Sequence, residues 1–493
     1  MSATITGLLP SQIPFLTTTQ IGLLSTTNVA ALSTSQAAAL TTTQVAAITV
    51  TDIVSLSTTA LSALNTGDIT ALQTGQVAAL STTQVNTLTS SQIGALTYTQ
   101  VAALTYAQIG ALATYQVAND LSTTQVGELS STQASALSTA DVAVLPLAEL
   151  STGAIAALKT SQIAALTTSE VQSLTTSQAA ALSTTQIAAL TSNQVANGLS
   201  TTQVSQLSTA QAAALTVADV VVLSTSQISQ LSTSAVAALK TTQVAALTTA
   251  QVQNLTSSQI AALSTAQIAT LTTSQAAAGL STTQVSQLST AQAAALTVAD
   301  VAVLSTSQVS QLSTSAVATL KTIQIAALTT SEVRNLSTSQ VTALNTAQIA
   351  TLTTNQAASG LSTTQVAQLS TAQAAALTVT DVAALSTTQL RQLSTSAITA
   401  LSTAQIAVLT TSQAASGLST SQVSQLSTAQ AVSLTLADVA ALSSTQVSQL
   451  STSAVATLKT AQIAVLTTSD VQSLSTSQSA VLTYAQIAAL TTN

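Results

Sequence analysis

The residues that could do acid–base or ligand chemistry are few and thinly spread. The chain of 493 residues has 13 Asp plus Glu and six Lys plus Arg, with no His, Cys or Trp. Metal centres draw on His, Cys or clustered carboxylates, and general acid–base or nucleophilic catalysis leans on the same groups gathered in a pocket. Neither pattern is present. Ten of the 13 acids instead recur at one position of a short repeat: Asp52, Asp68, Asp141, Glu170, Asp219, Asp300, Glu332, Asp381, Asp438 and Asp470. They lie tens of residues apart or without a Gly-rich loop beside them, which is not calcium-loop spacing. The reading is that the chain is not an enzyme and holds no cofactor or metal. A net charge of −7 and a near absence of aromatic side chains argue against nucleic acid as a partner.

What positions those acids is an octad, S/T-T-x-Q-V/I-x-x-L, running from Thr17 to the C-terminus in about sixty copies. Ser or Thr followed three residues later by Gln is a capping box: the hydroxyl accepts the N3 amide hydrogen and the Gln side chain reaches back to the N-cap amide. Asp or Glu can replace Gln in that role, and a carboxylate there also suits the positive end of the helix dipole. Leu before the cap and Val or Ile at N4 make a hydrophobic staple, as in Leu80 with Val85 around the box of Ser81 and Gln84. Helices this short do not persist alone in water, so packing must hold them. The pattern predicts an all-α solenoid of very short helices, with a Leu/Val/Ile/Ala core and Thr, Ser and Gln outside. A β-solenoid is the alternative, because Thr, Val and Ile favour strands. Against it, Val and Leu stand three and five residues apart, on opposite faces of a regular strand.

Hydrophobic residues make up 46% of the chain, yet Ser, Thr and Gln interrupt every octad. No run reaches the roughly 18 apolar residues of a membrane span. Residues 1–16, with Pro10, Pro14 and Phe15, depart from the consensus and read as an N-terminal cap without the basic region of a secretory signal.

The octads are grouped into longer blocks. Octads fill 17–121; long repeats follow at 122–199, 200–280 and 281–361, then a shortened one at 362–418 and a final one at 419–493, all in one continuous solenoid. The complete block, as at 200–280, comprises nine octads and one nine-residue unit. The extra residue is Gly198, Gly279, Gly360 or Gly417, with Asp120 in the first instance. Glycine just past a helix suits a left-handed C′ position, so each insertion is expected to make a sharper turn. Lys159, Lys240, Lys321 and Lys459 replace the capping Ser or Thr at matching places, and the preceding unit has Ala154, Ala235, Ala316 or Ala454 in place of Gln. A lysine cannot cap an N-terminus but can reach the last carbonyls of the preceding helix. The four are candidate assembly contacts, against a plainer reading as solvated charges. Tyr98, Tyr106 and Tyr115 fall close together in the sequence and form a candidate partner patch.

In composition and repetition the chain resembles the large Ala/Thr-rich repeat proteins that bacteria export to the cell surface, of the adhesin, surface-layer and sheath types. The resemblance implies an extracellular or cell-surface scaffold that self-associates into a filament or array. An adhesive stalk recognising a surface glycan or protein is the alternative, and ice binding through the Thr array a minor one. The Gly-Gly-x-Gly-x-Asp calcium nonads of many exported repeat proteins are absent.

Overall fold

The computed structural model describes residues 5–490 and divides into two compact units, one ending at Ala246 and the other starting at Leu247. This division falls inside the block 200–280. Each unit is an α-solenoid of short helices, most of four to six residues, and no strand occurs among the described residues. The β alternative is therefore set aside.

Each octad folds as its residue types dictate. In the helix Tyr98–Ala103, the Thr97 hydroxyl accepts from the Gln100 amide at 3.2 Å, and Gln100 Oε1 accepts from the Thr97 amide at 2.8 Å. The capping box and the interrupted helix thus recur along the chain. Val101 and Leu104 are buried, as are the residues at those positions in nearly every unit. Leu104 closes the helix through its amide, which donates to the Val101 carbonyl at 3.1 Å.

Gln departs from the expected surface position. Gln100 is 2% exposed, because its amide has a second role. While Oε1 takes the cap amide, Nε2 donates to the carbonyls of Ile69 (2.8 Å) and Leu72 (2.7 Å), 31 and 28 residues earlier. One side chain caps its own helix and fastens it to the previous turn. Gln348 does the same in the second unit, accepting from the Asn345 amide and donating to Val317 at 3.0 Å and Leu320 at 2.7 Å. The Leu72 and Leu320 carbonyls lie at the helix end, where no amide of their own helix reaches them, whereas those of Ile69 and Val317 also accept from the closing Leu amide at 3.2 Å. The Gln therefore satisfies a Leu carbonyl that burial would otherwise leave unpaired.

Helices three units apart stack, as Thr42–Ala47 does on Thr66–Ala71 and that helix on Ser90–Ala95. The Gln bonds reach four units back, so a turn holds between three and four octads. A second rule governs the stack. Wherever Ala replaces Gln at the fourth position, the residue facing it three units earlier is Ala in place of Val or Ile. The pairs are Ala37 with Ala60, Ala212 with Ala235, Ala293 with Ala316, Ala374 with Ala397, and Ala431 with Ala454, all at one common spacing along the chain. Ala134 and Ala154 form the sixth pair, closer in sequence because the unit between them, 146–150, is three residues short. It folds as a 3-10 turn, Leu147–Glu149, with Leu147 buried where Val usually sits.

The inserted glycines act differently from expectation. None of the described glycines has a positive φ. The extra residue is absorbed by widening the last turn: the Leu199, Leu280, Leu361 and Leu418 amides donate five residues back, to Gln194, Gln275, Gln356 and Gln413, at 2.9–3.0 Å. This π-type turn keeps each Leu buried in phase. Glycine is required there by proximity. A Cβ on Gly360 would lie 3.1 Å from both Cβ and Cγ1 of Val333, and one on Gly279 would meet Val252 at 3.1 Å.

Candidate functional site

The marks that stand far apart in the sequence converge in the stack. The unit three beyond each insertion is the one carrying Asp, and the unit three beyond that carries Lys. The π-turn Gln275–Gly279 thus packs on Val298–Val303, which contains Asp300, and that helix packs on Thr322–Ala326, preceded by Lys321. The same order recurs for Gly198, Asp219 and Lys240, and for Gly417, Asp438 and Lys459. Asp120, Asp141 and Lys159 form an earlier version; Gly360 and Asp381 form one without a lysine.

The carboxylates in these stacks serve the backbone. Asp300 is buried; its Oδ2 accepts from the Thr297 amide at 2.9 Å and the Thr297 hydroxyl at 2.6 Å. A carboxylate has no donor, so these units lack the Gln bond to the previous turn. In three Asp units the polarity of the link is reversed: hydroxyls from the previous turn donate to Oδ1, Ser192 to Asp219 (3.0 Å), Thr114 to Asp141 (2.7 Å) and Ser444 to Asp470 (2.8 Å). Asp68 lacks such a donor. Its Oδ1 is buried without a partner, and burial holds its pKa above the ordinary value, opposed by the Asn65 amide. No group of three or more His, Cys, Asp or Glu converges among the described residues.

The lysines do not reach the preceding helix. Lys240, Lys321 and Lys459 are exposed, and what the cap position contributes is main chain: the Lys321 amide donates to Gln324 Oε1 at 2.6 Å with no side-chain cap. Lys159 turns to a tyrosine instead. Its Nζ lies 3.2 Å from the Tyr106 hydroxyl and 5.8 Å from the ring centroid, joining one residue from each of the two candidate sets. Tyr98, Tyr106 and Tyr115 are all exposed but stand on three consecutive helices. Since stacking joins helices three units apart, no two of these rings share a stack.

Beside the Asp of these units the sequence places apolar residues where the consensus has Thr. Val217, Val298, Val379 and Leu436 occupy the second position of their units and are 38–47% exposed. This recurrent exposure is what residue-by-residue reading missed. Its signal was present, since TVAD, TVTD and TLAD recur at the block period.

The ALTTAQ repeat model matches the chain. It does so at residues 45–82, 61–98, 69–106, 147–176, 213–249, 244–273 and 382–416, together less than half the length. The first three matches start two octads and then one octad apart, so the model slides along the repeat. The letters A-L-T-T-A-Q stand at 246–251, spanning the closing Leu of one unit and the cap and Gln of the next. That junction is where the hydrogen bonds are made. The match identifies a repeat protein and names no activity. No curated protein matches the chain.

Proposed function

We propose that this chain is a non-enzymatic structural protein, an extracellular or cell-surface scaffold that assembles with itself into filaments or arrays. The observation that supports this is where the reactive groups go. Nearly all the carboxylates and Gln amides at the fourth position are buried and spent on caps and on bonds between turns. What faces solvent is mainly a repeated surface of Thr, Ser and Ala, marked at block intervals by Lys and by exposed Val or Leu. Such a surface offers little to a small substrate and much to a partner with the same repeat, and low charge leaves little electrostatic repulsion between copies. Among the described residues no helix is long and apolar enough to cross a membrane.

Sedimentation velocity of the purified chain over a wide concentration range, with electron microscopy of the same samples, tests the reading. Growing particles that resolve into rods or sheets are expected. A monodisperse monomer at every concentration would reject it. The adhesive alternative is favoured by one feature, the exposed Tyr98, Tyr106 and Tyr115, and Tyr→Ala changes that leave binding to cells or glycans intact would remove it.

A further inference from the structure

Among the acids at the fourth position, Asp68 alone has a carboxylate oxygen enclosed without a partner. Its unit departs from the repeat at the cap. Asn65 stands where Ser or Thr is usual, so the carboxylate has no cap hydroxyl such as that of Thr297, which donates to Asp300 at 2.6 Å. Asp68 accepts one hydrogen bond, from the Asn65 amide to Oδ2 at 3.1 Å. Asp219 and Asp470 each take a hydroxyl from the second residue of the unit three earlier. For Asp68 that residue is Thr42, and it turns its methyl to the unit: a Cβ on Gly67 would stand 3.6 Å from Thr42 Cγ2.

The slot that Asp68 fills has a second unpaired acceptor. Octads run without insertion through this stretch, and the Gln units on either side fix the register. Gln44 donates to the Leu16 carbonyl at 2.7 Å and Gln76 to that of Ile48 at 2.6 Å, each 28 residues back. The counterpart for Asp68 is the carbonyl of Leu40, a buried residue, and no donor reaches it among the described residues. Oδ2 takes the cap amide as a Gln Oε1 does, so Oδ1 stands in place of the Gln nitrogen. Two acceptors thus share one buried slot with no hydrogen between them, and leaving buried acceptors unpaired is costly.

We propose that Asp68 is a proton-operated latch: its carboxyl takes up a proton at Oδ1 and donates it to the Leu40 carbonyl, remaking with an acid the bond that Gln makes elsewhere. The neutral carboxyl is a donor at one oxygen and an acceptor at the other, the same polarity as a carboxamide. It is one methylene shorter, so closing the bond draws the two turns together by about 1.5 Å. Ionised, the group has only acceptors and the latch is open. No neighbouring charge competes for the proton. The helices stacked on this one, Thr42–Ala47 and Ser90–Ala95, hold no ionisable side chain, nor do Thr34–Ala37 before Leu40 and the flanking Thr58–Ser62 and Thr74–Ala79. Burial raises the Asp68 pKa, so the latch is closed below that raised value and opens as pH rises through it.

Hydrogen–deuterium exchange of the full chain at pH 4 and pH 7.5, corrected for the intrinsic pH dependence of amide exchange, tests the latch. Peptides covering 37–48 and 65–72 should be about tenfold better protected at pH 4, while those covering 97–104, joined by Gln100, should not change. Asp68→Gln restores the consensus residue and a donor at every pH, so it should remove the difference and keep the protection high. Protection independent of pH in the wild type would overturn the latch, as would a difference that persists in Asp68→Gln. Thr42→Val tests the rival arrangement, in which the Thr42 hydroxyl turns in to serve the ionised carboxylate. Unchanged exchange in that variant supports the latch; loosening of the same peptides at pH 7.5 would reject it.

Discussion

From Ser337 to Leu352 and from Gln275 to Val303 the chain makes the same kind of turn-to-turn contact by different means. In the first stretch Gln340 and Gln348 each cap a helix and donate to carbonyls of the turn before. In the second, the inserted Gly279 brings the backbone against Val252, and Asp300 caps its helix without any donor to pass back. Ordinary seams are held by a specific polar bond and tolerate bulk at the helix ends. At the insertion the Gln bond is kept, as Gln275 Nε2 to the Leu247 carbonyl at 2.6 Å, and a close backbone approach that tolerates no bulk is added. The repeat therefore varies the way its turns adhere while keeping Leu in phase, and each marked seam also carries an unusual surface.

The sharpest way to break this contrast is to add a side chain to each kind of seam. Gly360→Val places new carbons against Val333 and the Thr330 carbonyl, 3.1 and 3.4 Å from the first added atom. The neighbours are a β-branched side chain and a main chain, neither able to swing aside. A loss of about 3 kcal/mol is expected. Because each turn of a repeat array contacts only its neighbours, the loss should register as amide exchange localised to 330–335 and 356–360. Gly75→Ala is the counterpart in an ordinary helix, where the new carbon meets only Val50 Cγ2 at 3.6 Å. It should stabilise by about 0.5–1 kcal/mol through helix propensity.

Exchanging the polar and small seams sharpens the comparison further. Gln348→Met keeps the length but removes the cap acceptor and the donor, leaving the Leu320 carbonyl buried without its donor and the Val317 carbonyl with the Leu320 amide alone. About 2 kcal/mol should be lost, read as denaturant midpoint or local exchange. Ala316→Gln restores the consensus residue and should nevertheless destabilise, by about 1–2 kcal/mol, because the facing Ala293 lets the two helices approach too closely to admit it. A neutral outcome for Ala316→Gln would show that the six Ala pairs record duplication alone.

The difference between these seams also explains what could be read without a structure. Capping is local, set by residues three apart, so the boxes, the buried Val and Leu and the helical class followed from spacing alone. Gln went wrong because its second partners, such as Leu320 and Val317 for Gln348, lie 28 and 31 residues away, a distance fixed by the number of units per turn. The glycines went wrong for a related reason. A single residue after a helix suggests a left-handed turn, whereas the deciding contact, Gly279 on Val252, is made with the turn before. Yet the long-range geometry did leave traces. Ala at the fourth position accompanied by Ala three units earlier is a contact written in the sequence, as is the recurrence of an exposed Val or Leu with Asp at the block period. The convergence of insertion, Asp and Lys in one stack becomes visible once stacking is known to join units three apart.

The smallest effect expected separates an acid that caps well from one that does not. Asp219 has Ser192 donating to its second oxygen, whereas Oδ1 of Asp68 is buried with no partner, and burial raises its pKa from the ordinary 3.8. A folded-state pKa above the unfolded value means that the folded chain favours the protonated form. Asp68 is therefore least unfavourable at acidic pH, and stability is lost as pH rises from the unfolded pKa through the folded one. Asp68→Asn keeps an acceptor for the Asn65 amide and removes the buried charge. At neutral pH the variant should be more stable than the wild type, and the gap should close as pH falls below the carboxylate range. Asp219→Asn should show no such gain, since the Ser192 hydroxyl already serves the charged form. Denaturation of both variants at pH 7 and pH 3 checks the pair. A gain of equal size for the two would mean that the hydroxyl from the previous turn does not compensate for the missing Gln donor, and the reversed link would then have to be abandoned as what holds the Asp seams.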